Sequence, residues 1–495
     1  MSQELSQGSL PRSVNDSPSI RCNAAWSLSS FYQPPDGIVG SHLYEATHRM
    51  HLGLGTMDDM NLQHSLSRLH GDSVTIGSGF TGSGVFEKAA SALSSYYAHV
   101  RDINIDVDIR FQCESGPLER AFEAAHFDDV EARFKDMAEL SKLKAYDTIS
   151  GEHVFVGKVK IFVAGFTCID KSSLNVNAPE FINGVQERRG TTGEHFGLVD
   201  DFLDVHRPDI VVLENLYKML QAPTKKKGKD EEKKGKDEDS EPDISDGEYV
   251  VQRLRSKGYA SDVFKIEATS KGSHMSKNRL FFVGFHGKLK DKQLQIFTSL
   301  LSNLRCAPIK LESYIDWNML SLPEKHSTKQ ELSDRILDAF TDFGIHYPPQ
   351  YNSMAGSFSL ALKDQTECVR QKAFLVDQLQ SFPDTPYSAQ WVDLNLSVQF
   401  MIKGNPFSDN IPCLTRKSIL WGRTKYADGT KSYRVITGYP LLSLIGWGAS
   451  DTIDDDAIDK TLAASIVGNA FSGFSSMAVL IALFGAMGHD EPSSV

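Results

Sequence analysis

The chain lacks paired cysteines and an excess of basic residues, and each absence argues against a class of protein. Its 495 residues include six cysteines, none of them in a Cys-x-x-Cys pair. This spacing fits neither a zinc ribbon nor a disulfide framework, and it is typical of a reducing compartment. A formal net charge of −12 argues against a protein that coats nucleic acid with a broad basic surface, but it permits a local basic cleft.

Signals for secretion and for membrane insertion are also missing. Glu4 stands where a signal peptide carries basic residues, and no apolar segment follows it. Residues 461–488 contain no Asp, Glu, Lys or Arg, but Asn469 and several serines leave a continuous apolar stretch of only about 11 residues. That length predicts a buried helix rather than a membrane span. We therefore expect an intracellular protein, nuclear in a eukaryote and otherwise cytoplasmic, with no membrane partner.

Short apolar runs alternate with helical stretches from Ser73 onward. The apolar runs include 74–77 (VTIG), 109–114 (IRFQCE), 159–166 (VKIFVAGF) and 209–216 (DIVVLENL). Strands separated by helices predict a parallel sheet with crossover helices, so the predicted fold class is α/β. Open sheets of this kind bind their ligands at the carboxyl ends of the strands.

Composition divides the rest of the chain into segments. Residues 1–65 are rich in Ser, Gly, Pro and Asn, which predicts a poorly ordered tail. Residues 224–248 are a low-complexity charge run, which predicts a disordered loop. Irregular, turn-rich sequence marks residues 288–432 as a separate module. The remaining predicted segments are a core at 70–287, its continuation at 433–488 and a tail at 489–495.

Residues suited to nucleotide binding follow the first strands. Residues 77–84 (GSGFTGSG) place four glycines in a strand-to-helix turn, where the backbone approaches a ligand closely and the helix N-terminus faces it. An ordinary tight turn has the same composition. Glu114 ends the second predicted strand, where a carboxylate accepts hydrogen bonds from ribose hydroxyls, and Asp136 follows the next helix. Each of these acids is also suited to cap a helix.

A thiol and a carboxylate are expected at one edge of the sheet. The strand at 159–166 runs into a Gly-Phe-Thr-Cys turn that ends at Cys168, and the next strand carries Glu214 at its end. A lone cysteine is usually a small buried hydrophobe. A thiol nucleophile and a carboxylic acid on neighbouring strand ends have the composition of a covalent catalytic site. Arg279, at the start of a further strand, adds a cationic donor.

Taken in chain order, these segments resemble the cytosine-5 DNA methyltransferase family, as a divergent member. The glycine turn resembles the family's first motif, a glycine-rich turn preceded by an aromatic residue. Thr167-Cys168-Ile169 resembles its Pro-Cys-Gln loop, and Glu214-Asn215-Leu216 resembles its Glu-Asn-Val motif. The other matches are Ser172 to the family's serine, residues 275–279 to Gln-x-Arg-x-Arg, Arg434 and Thr437 to Arg-x-Leu-Thr, and Gly468 and Asn469 to the closing Gly-Asn motif.

This resemblance implies a Rossmann-like S-adenosylmethionine-dependent methyltransferase fold, in which residues 288–432 are an inserted target-recognition domain. It implies S-adenosylmethionine as cofactor, no metal, and nucleic acid, first of all double-stranded DNA, as partner. The implied catalytic residues are Cys168, Glu214 and Arg279. The implied cofactor-binding residues are Gly79, Phe80, Gly82, Glu114, Asp136 and Asn469. Among these, the resemblance assigns Glu114 to the ribose and Asp136 to the adenine amino group.

In the implied reaction a cytosine flips out of its stack, because its carbons 5 and 6 are not accessible inside a duplex. The Cys168 thiolate adds to carbon 6. Glu214 neutralises the charge that develops in the ring, and Arg279 holds the ring oxygen. Carbon 5 then takes the methyl group, and loss of its proton releases Cys168.

The sequence departs from the family at several positions. Thr167 and Ile169 replace the proline and glutamine that flank the cysteine, and Gly77 stands where an aromatic residue is expected. Met275 and Lys277 dilute the arginine motif. Because the residues that touch the base are retained, we favour an active enzyme over a catalytically inactive nucleic-acid-binding or regulatory relative. A tRNA cytosine-5 methyltransferase, a small-molecule methyltransferase and a nicotinamide-binding oxidoreductase are the remaining alternatives.

Overall fold

The fold is α/β, as the pattern of strands and helices predicts. The computed structural model describes residues 41–171, 184–221, 244–309, 367–379, 388–394, 410–415, 418–436, 440–447 and 460–489. The strands of this part, in chain order, are β1 (Ser73–Gly79), β2 (Asp106–Cys113), β3 (Ala132–Phe134), β4 (Lys144–Tyr146), β5 (His153–Phe155), β6 (Ile161–Ala164), β7 (Ile210–Asn215), β8 (Ala260–Glu267), β9 (Asn278–Phe285), β10 (Ser388–Asp393), β11 (Leu420–Lys425) and β12 (Lys431–Ile436).

Helices precede, connect and follow these strands. They are α1 (Ser41–Gly53), α2 (Thr56–Arg68), α3 (Val85–Tyr96), α4 (Pro117–His126), α5 (Met137–Leu140), α6 (Gly190–His206), α7 (Asp246–Ser256), α8 (Lys290–Asn303), α9 (Glu367–Leu379), α10 (Pro440–Ser443), α11 (Lys460–Asn469) and α12 (Gly473–Met487). One turn of π-helix, Tyr97–Arg101, extends α3.

Seven strands form the central sheet of the described residues, in the order β3-β2-β1-β6-β7-β9-β8. Neighbouring strands from β3 through β7 are parallel, whereas β9 runs antiparallel to both of its neighbours. The chain order reverses at β1, which pairs with β2 on one side and with β6 on the other. Loops diverge at such a reversal and open a crevice at the carboxyl ends of the strands. The predicted site residues after β1, β2, β6 and β7 therefore meet at one edge.

Strand side chains alternate between two hydrophobic layers, because successive residues of a strand point to opposite faces of the sheet. In β6, Ile161 and Val163 belong to one layer, and Phe162 and Ala164 belong to the other. The first layer also contains buried residues of α1, α2, α3, α8 and α12, and the second contains those of α6 and α7. The sheet is therefore covered by helices on both faces.

The apolar run near the end of the chain forms the buried helix α12, as predicted. All 15 of its residues are buried. Gly485 lets α8 approach closely, because a Cβ at this position would lie 2.4 Å from Leu300 Cδ1. Within the part of the chain that the structure describes, no helix is long and apolar enough to cross a membrane.

The predicted tail at residues 1–65 is wrong for residues 41–65. This stretch forms α1 and most of α2, whose residues Leu43, Met50 and Leu62 are buried in the first hydrophobic layer. The sequence does not predict this burial, because His, Arg and Asn alternate with the apolar residues, and because α12, which contacts both helices, lies far along the chain. Residues 1–40 lie outside the described part.

The boundaries of two further predicted segments are also shifted. The charge run at 224–248 ends in the helix α7, where Ser245 accepts a hydrogen bond from the backbone N–H of Glu248 in a capping box. Residues 222–243 lie outside the described part. The module at 288–432 does not include α8, which packs on α12 and the central sheet. Its own sheet, in the order β10-β11-β12, continues past residue 432 to Ile436.

We predict that α1 and α2 are an integral part of this fold. Replacement of the buried Leu66 by Ala removes packing against the first layer and costs about 2–5 kcal/mol of unfolding free energy in urea titrations. The matched control is Leu52→Ala on α1, where the side chain is 72% exposed, and its effect stays within about 0.5 kcal/mol. Equal effects of the two substitutions would contradict this packing.

Candidate active site

The glycine-rich segment forms the predicted strand-to-helix turn between β1 and α3. Gly82 and Gly84 have φ angles of 67° and 69°, in the left-handed region that favours glycine. A Cβ on Gly84 would also lie 2.4 Å from the Phe127 ring. Gly84 is the residue before the first turn of α3, so the N-terminus of this helix faces the crevice.

The expected departure at Gly77 is wrong. Gly77 lies inside β1, where a Cβ would be 2.3 Å from Cζ of Phe111, so this glycine makes room for a core ring. The aromatic residue of the turn is Phe80, which lies two residues before Gly82 in the pattern Phe-x-Gly-x-Gly. The sequence alone does not show at which of these glycines the strand ends.

Glu114 joins the turns that follow β1 and β2. Its Oε2 accepts a hydrogen bond of 2.9 Å from the backbone N–H of Gly82, and its Oε1 accepts one of 2.8 Å from Gly116. Burial raises the pKa of the Glu114 carboxyl, and the two backbone donors oppose this effect. Asp136, after β3, is exposed and caps the short helix α5 through the backbone N–H of Ala138 at 2.9 Å. Asp136 therefore caps a helix, which is one of the two roles that the sequence permits for it.

Cys168 lies in the loop after β6 and is partly exposed. Two contacts hold this loop in place. The side-chain amide of Asn215, at the end of β7, donates a hydrogen bond of 3.0 Å to the backbone carbonyl of Phe166. On the other side of Cys168, Asp170 accepts one of 2.8 Å from the backbone N–H of Thr192 at the start of α6.

Glu214 and Arg279 form a buried ion pair, with 2.7 Å between Glu214 Oε1 and Arg279 Nε. The antiparallel register of β7 and β9 brings them together, because Asn215 at the end of β7 pairs with Leu280 near the start of β9. Gly165, before the Cys168 loop, leaves room for the Phe471 ring: a Cβ there would lie 3.0 Å from Phe471 Cζ, and Glu214 Oε2 would be at an ordinary contact distance of 3.6 Å. The three predicted catalytic residues thus occupy adjoining strand ends.

The charges of this cluster shift one another's pKa values. Burial raises the pKa of the Cys168 thiol, and the negative charge of Glu214 raises it further, whereas Arg279 and Lys277 oppose both effects. Burial also raises the pKa of the Glu214 carboxyl against the opposing charges of Arg279 and Lys277. Burial, together with the balance of two cations against one carboxylate, therefore decides how readily the thiol ionises.

Lys277 belongs to the site, although its motif position was read only as a departure. Its Nζ donates hydrogen bonds to the backbone carbonyls of Val467, at 3.0 Å, and Ala470 at the end of α11. Burial lowers the pKa of Lys277 to about 8, and Arg279 contributes to this shift. The lysine ties the start of β9 to the segment that carries the exposed residue Asn469. No signal in the sequence distinguished it from a surface lysine.

Two more residues were not expected. Cys413, from the inserted module, lies with its Sγ 3.9 Å from Arg279 Nη2. Ile411 positions it, because its backbone carbonyl accepts a 2.8 Å hydrogen bond from Ser276. His195 of α6 stacks on Phe80 with ring centroids 4.6 Å apart, and its buried Nδ1 has no hydrogen-bond partner in the described residues. These contacts depend on tertiary structure alone.

Among the remaining motif positions, Arg434 is not gathered at the site. Arg434 lies in β12, in the separate three-stranded sheet. Ser172 and Thr437 lie outside the described residues. Among the residues that the structure does describe, no group of three or more His, Cys, Asp or Glu side chains has a metal-binding arrangement.

A Rossmann-like sheet with a glycine turn and acids at its switch point has the architecture expected of a S-adenosylmethionine-dependent methyltransferase. No family model matches the chain. A stretch of 130 residues is 33% identical to the DNA (cytosine-5-)-methyltransferase DMT5 of Cryptococcus neoformans, which is 26% of this chain and 5% of that protein's length. This similarity confirms the resemblance to cytosine-5 DNA methyltransferases that the motifs predict.

Two solved structures align with this chain over most of its length. The methyltransferase EhMeth of Entamoeba histolytica and the Dnmt2 methyltransferase of S. pombe are each 12% identical to this chain, with TM-scores of 0.40. Both alignments cover 83% of this chain and 98% of the other.

We predict that Glu214 and Lys277, two of the three charged neighbours of Cys168, shift its pKa in opposite directions. Glu214→Gln removes a negative charge and lowers the thiol pKa, whereas Lys277→Met removes a cation and raises it. The measurement is the rate of iodoacetamide alkylation of Cys168 against pH, with the cysteine peptides separated by mass spectrometry.

Lys277→Arg, which keeps the cation, is the control and leaves the titration closer to that of the wild type. Because removal of one member of a buried ion pair costs about 3–5 kcal/mol, the folding of Glu214→Gln is checked by circular dichroism. Shifts of the same sign in both variants would contradict the electrostatic account.

Proposed function

We propose that this protein methylates carbon 5 of cytosine in DNA, with S-adenosylmethionine as the methyl donor and Cys168 as the covalent nucleophile. The observation that carries the proposal is the buried ion pair of Glu214 and Arg279 beside this thiol, at the edge of the sheet that also carries the glycine turn. The 33% identity to a DNA (cytosine-5-)-methyltransferase over 130 residues supports the same chemistry.

The residues at the ends of β1, β2 and β3 suit the proposed cofactor. Apart from Gly82 and its two chain neighbours, no heavy atom of the described residues lies within 4 Å of the position that a Cβ on Gly82 would occupy, so the turn has open space beside it. Carboxylates stand at the ends of the next two strands, where ribose hydroxyls and an amino group find acceptors. In this proposal the cofactor lies against the turn at Gly79, Phe80 and Gly82. Glu114 binds its ribose, Asp136 its adenine amino group and Asn469 its methionine part. The bound cofactor supplies an electrophilic methyl group.

Cys168, Glu214 and Arg279 divide the work on the base between them. The thiolate of Cys168 adds to carbon 6 of a cytosine that has left its stack. Burial raises the pKa of the Glu214 carboxyl, so this group takes up a proton more readily and shares it with ring nitrogen 3 as charge develops. Arg279 holds the ring oxygen through its guanidinium. Proton loss from carbon 5 after methylation then releases Cys168.

The inserted module has a proposed role in target recognition. Its segment 410–415 lies against residues 274–276, directly before the strand that carries Arg279. Cys413 reaches the guanidinium from this segment. A module that contacts the catalytic arginine would hold double-stranded DNA around a flipped base.

Transfer of a labelled methyl group to cytosine-containing DNA and to tRNA, assayed in parallel, tests this function. We expect labelling of DNA by the wild type, none by Cys168→Ser, and a loss of about 10² to 10⁴ in rate for Glu214→Gln. Cys306→Ala, a buried cysteine outside the site, is the matched control and keeps activity.

Equal activity of Cys168→Ser and wild type would contradict the covalent mechanism. Labelling of tRNA alone would show that the substrate is tRNA and not DNA. A folded wild type that labels neither nucleic acid would favour the inactive, nucleic-acid-binding relative.

A further inference from the structure

A two-stranded hairpin, β4 and β5, separates β3 from β6 and has no part in the proposed chemistry. Its antiparallel register pairs Lys144 with Phe155 and Tyr146 with His153. Residues two apart in a strand share a face, so these four side chains lie together. We call this set the hairpin face. Ala145, between them in sequence, points the other way and is buried.

The hairpin is anchored to the edge of the central sheet. The backbone N–H of Thr148, in its turn, donates a 2.7 Å hydrogen bond to the carbonyl of Arg133 in β3. The backbone N–H of Arg133 in turn donates a 2.8 Å hydrogen bond to Asp147 Oδ1. β3 leads directly to Asp136 at the carboxyl edge of the sheet. The hairpin face is therefore held on the same flank of the protein as the proposed cofactor site.

The hairpin face exposes aromatic rings that are paired with lysines. The Phe155 side chain is 70% exposed, with Lys144 Nζ 4.5 Å from its ring centroid. Lys135 Nζ lies 6.0 Å from the centroid of Tyr146, and the Tyr146 and His153 rings are 5.5 Å apart. Exposed rings beside cations are the composition of surfaces on which bases stack.

The charge of this region contrasts with that of the chain. Residues 133–160 contain six Lys or Arg and four Asp or Glu, whereas the whole chain has a formal net charge of −12. Three of the four carboxylates accept hydrogen bonds from backbone N–H groups of the hairpin and its surroundings: Asp136 from Ala138, Glu139 from Tyr146, and Asp147 from Arg133, Ile149 and Ser150. Glu152 is the fourth. The exposed Lys135, Lys142, Lys144 and Lys158 give the region its positive charge.

We propose that the hairpin face binds an unpaired stretch of the nucleic-acid strand, with Phe155 stacked on a base and Lys144 and Lys135 near its phosphates. This inference rests on the proposed function for the class of its partner. Bases in a duplex are covered on both faces by their neighbours, so an exposed ring finds a stacking partner only where the strand is unpaired. A protein partner would use the exposed rings but would have no need of lysines over them.

Fluorescence anisotropy of the full chain, with a labelled single-stranded oligonucleotide and with the same sequence as a duplex, tests the proposal. We expect the wild type to prefer the single strand. Phe155→Ala weakens single-strand binding about tenfold and abolishes the preference, because stacking on one base is lost. Lys144→Gln weakens binding and reduces the slope of log affinity against log salt by about 0.7.

Matched controls come from exposed residues elsewhere. Leu52→Ala removes an equally exposed apolar side chain from α1, and Lys292→Gln removes an exposed lysine from α8. Both keep wild-type affinity. The proposal is overturned if Phe155→Ala binds the single strand as the wild type does. It is also overturned if this variant loses only self-association in sedimentation, which would make the hairpin face a protein interface.

This assay requires no methyl transfer, so the inference and the proposed function can fail independently of each other. A hairpin effect on binding without any transferred methyl group would leave the inference standing while the enzymatic proposal fails. Conversely, if the hairpin variants leave both nucleic-acid binding and methyl transfer unchanged, the proposed function stands and the inference about the hairpin face fails.

Discussion

The buried ion pair between Glu214 and Arg279 is the interaction on which the candidate site depends. Its geometry follows from one feature of the sheet: β9 runs antiparallel to β7, so the start of β9 lies beside the carboxyl end of β7. A parallel strand in this place would put Arg279 at the opposite edge. Because burying two charges carries a desolvation penalty that their attraction barely offsets, the pair contributes little to folding. Its position is better explained by the chemistry that we propose for it.

The neighbouring charges form one electrostatic unit with this pair. Arg279 is matched by Glu214, but Lys277 adds a second buried cation, which binds only backbone carbonyls. An ionised Cys168 would balance this charge. The thiolate and the protonated lysine therefore favour each other, as the opposite directions of their mutual pKa shifts show. Lys277 thus has an electrostatic role that its position in the arginine motif does not indicate.

Much of the fold was predictable because the motif residues follow apolar strands. β1, β2, β6 and β7 each contain buried apolar residues, and the rule that ligands bind at the carboxyl ends of such strands then places Glu114, Cys168 and Glu214 at one edge. Phe80 is among the predicted cofactor-binding residues, but its place as the aromatic residue of the turn could not be predicted, because four closely spaced glycines leave the end of the strand ambiguous until the packing of Gly77 against Phe111 is seen.

Other features depend on partners that are distant in sequence. The helices α1 and α2 look polar on their own, and their apolar residues are buried mainly by α3 and α12. Lys277 is separated by about 190 residues from the carbonyls of Val467 and Ala470 that it binds. Cys413 reaches Arg279 only because Ile411 pairs with the segment before β9. Local sequence carries no information on contacts of this kind.

The central claim is that Cys168 bonds covalently to a cytosine held by Glu214 and Arg279. Mass spectrometry of the protein after incubation with S-adenosylmethionine and an oligonucleotide that contains 5-fluorocytosine tests it most directly, because fluorine on carbon 5 prevents the proton loss that releases the thiol. The account predicts a stable complex whose attachment maps to Cys168 and which Glu214→Gln forms more slowly. Attachment at Cys413, or no complex from an oligonucleotide that the protein binds, would contradict it.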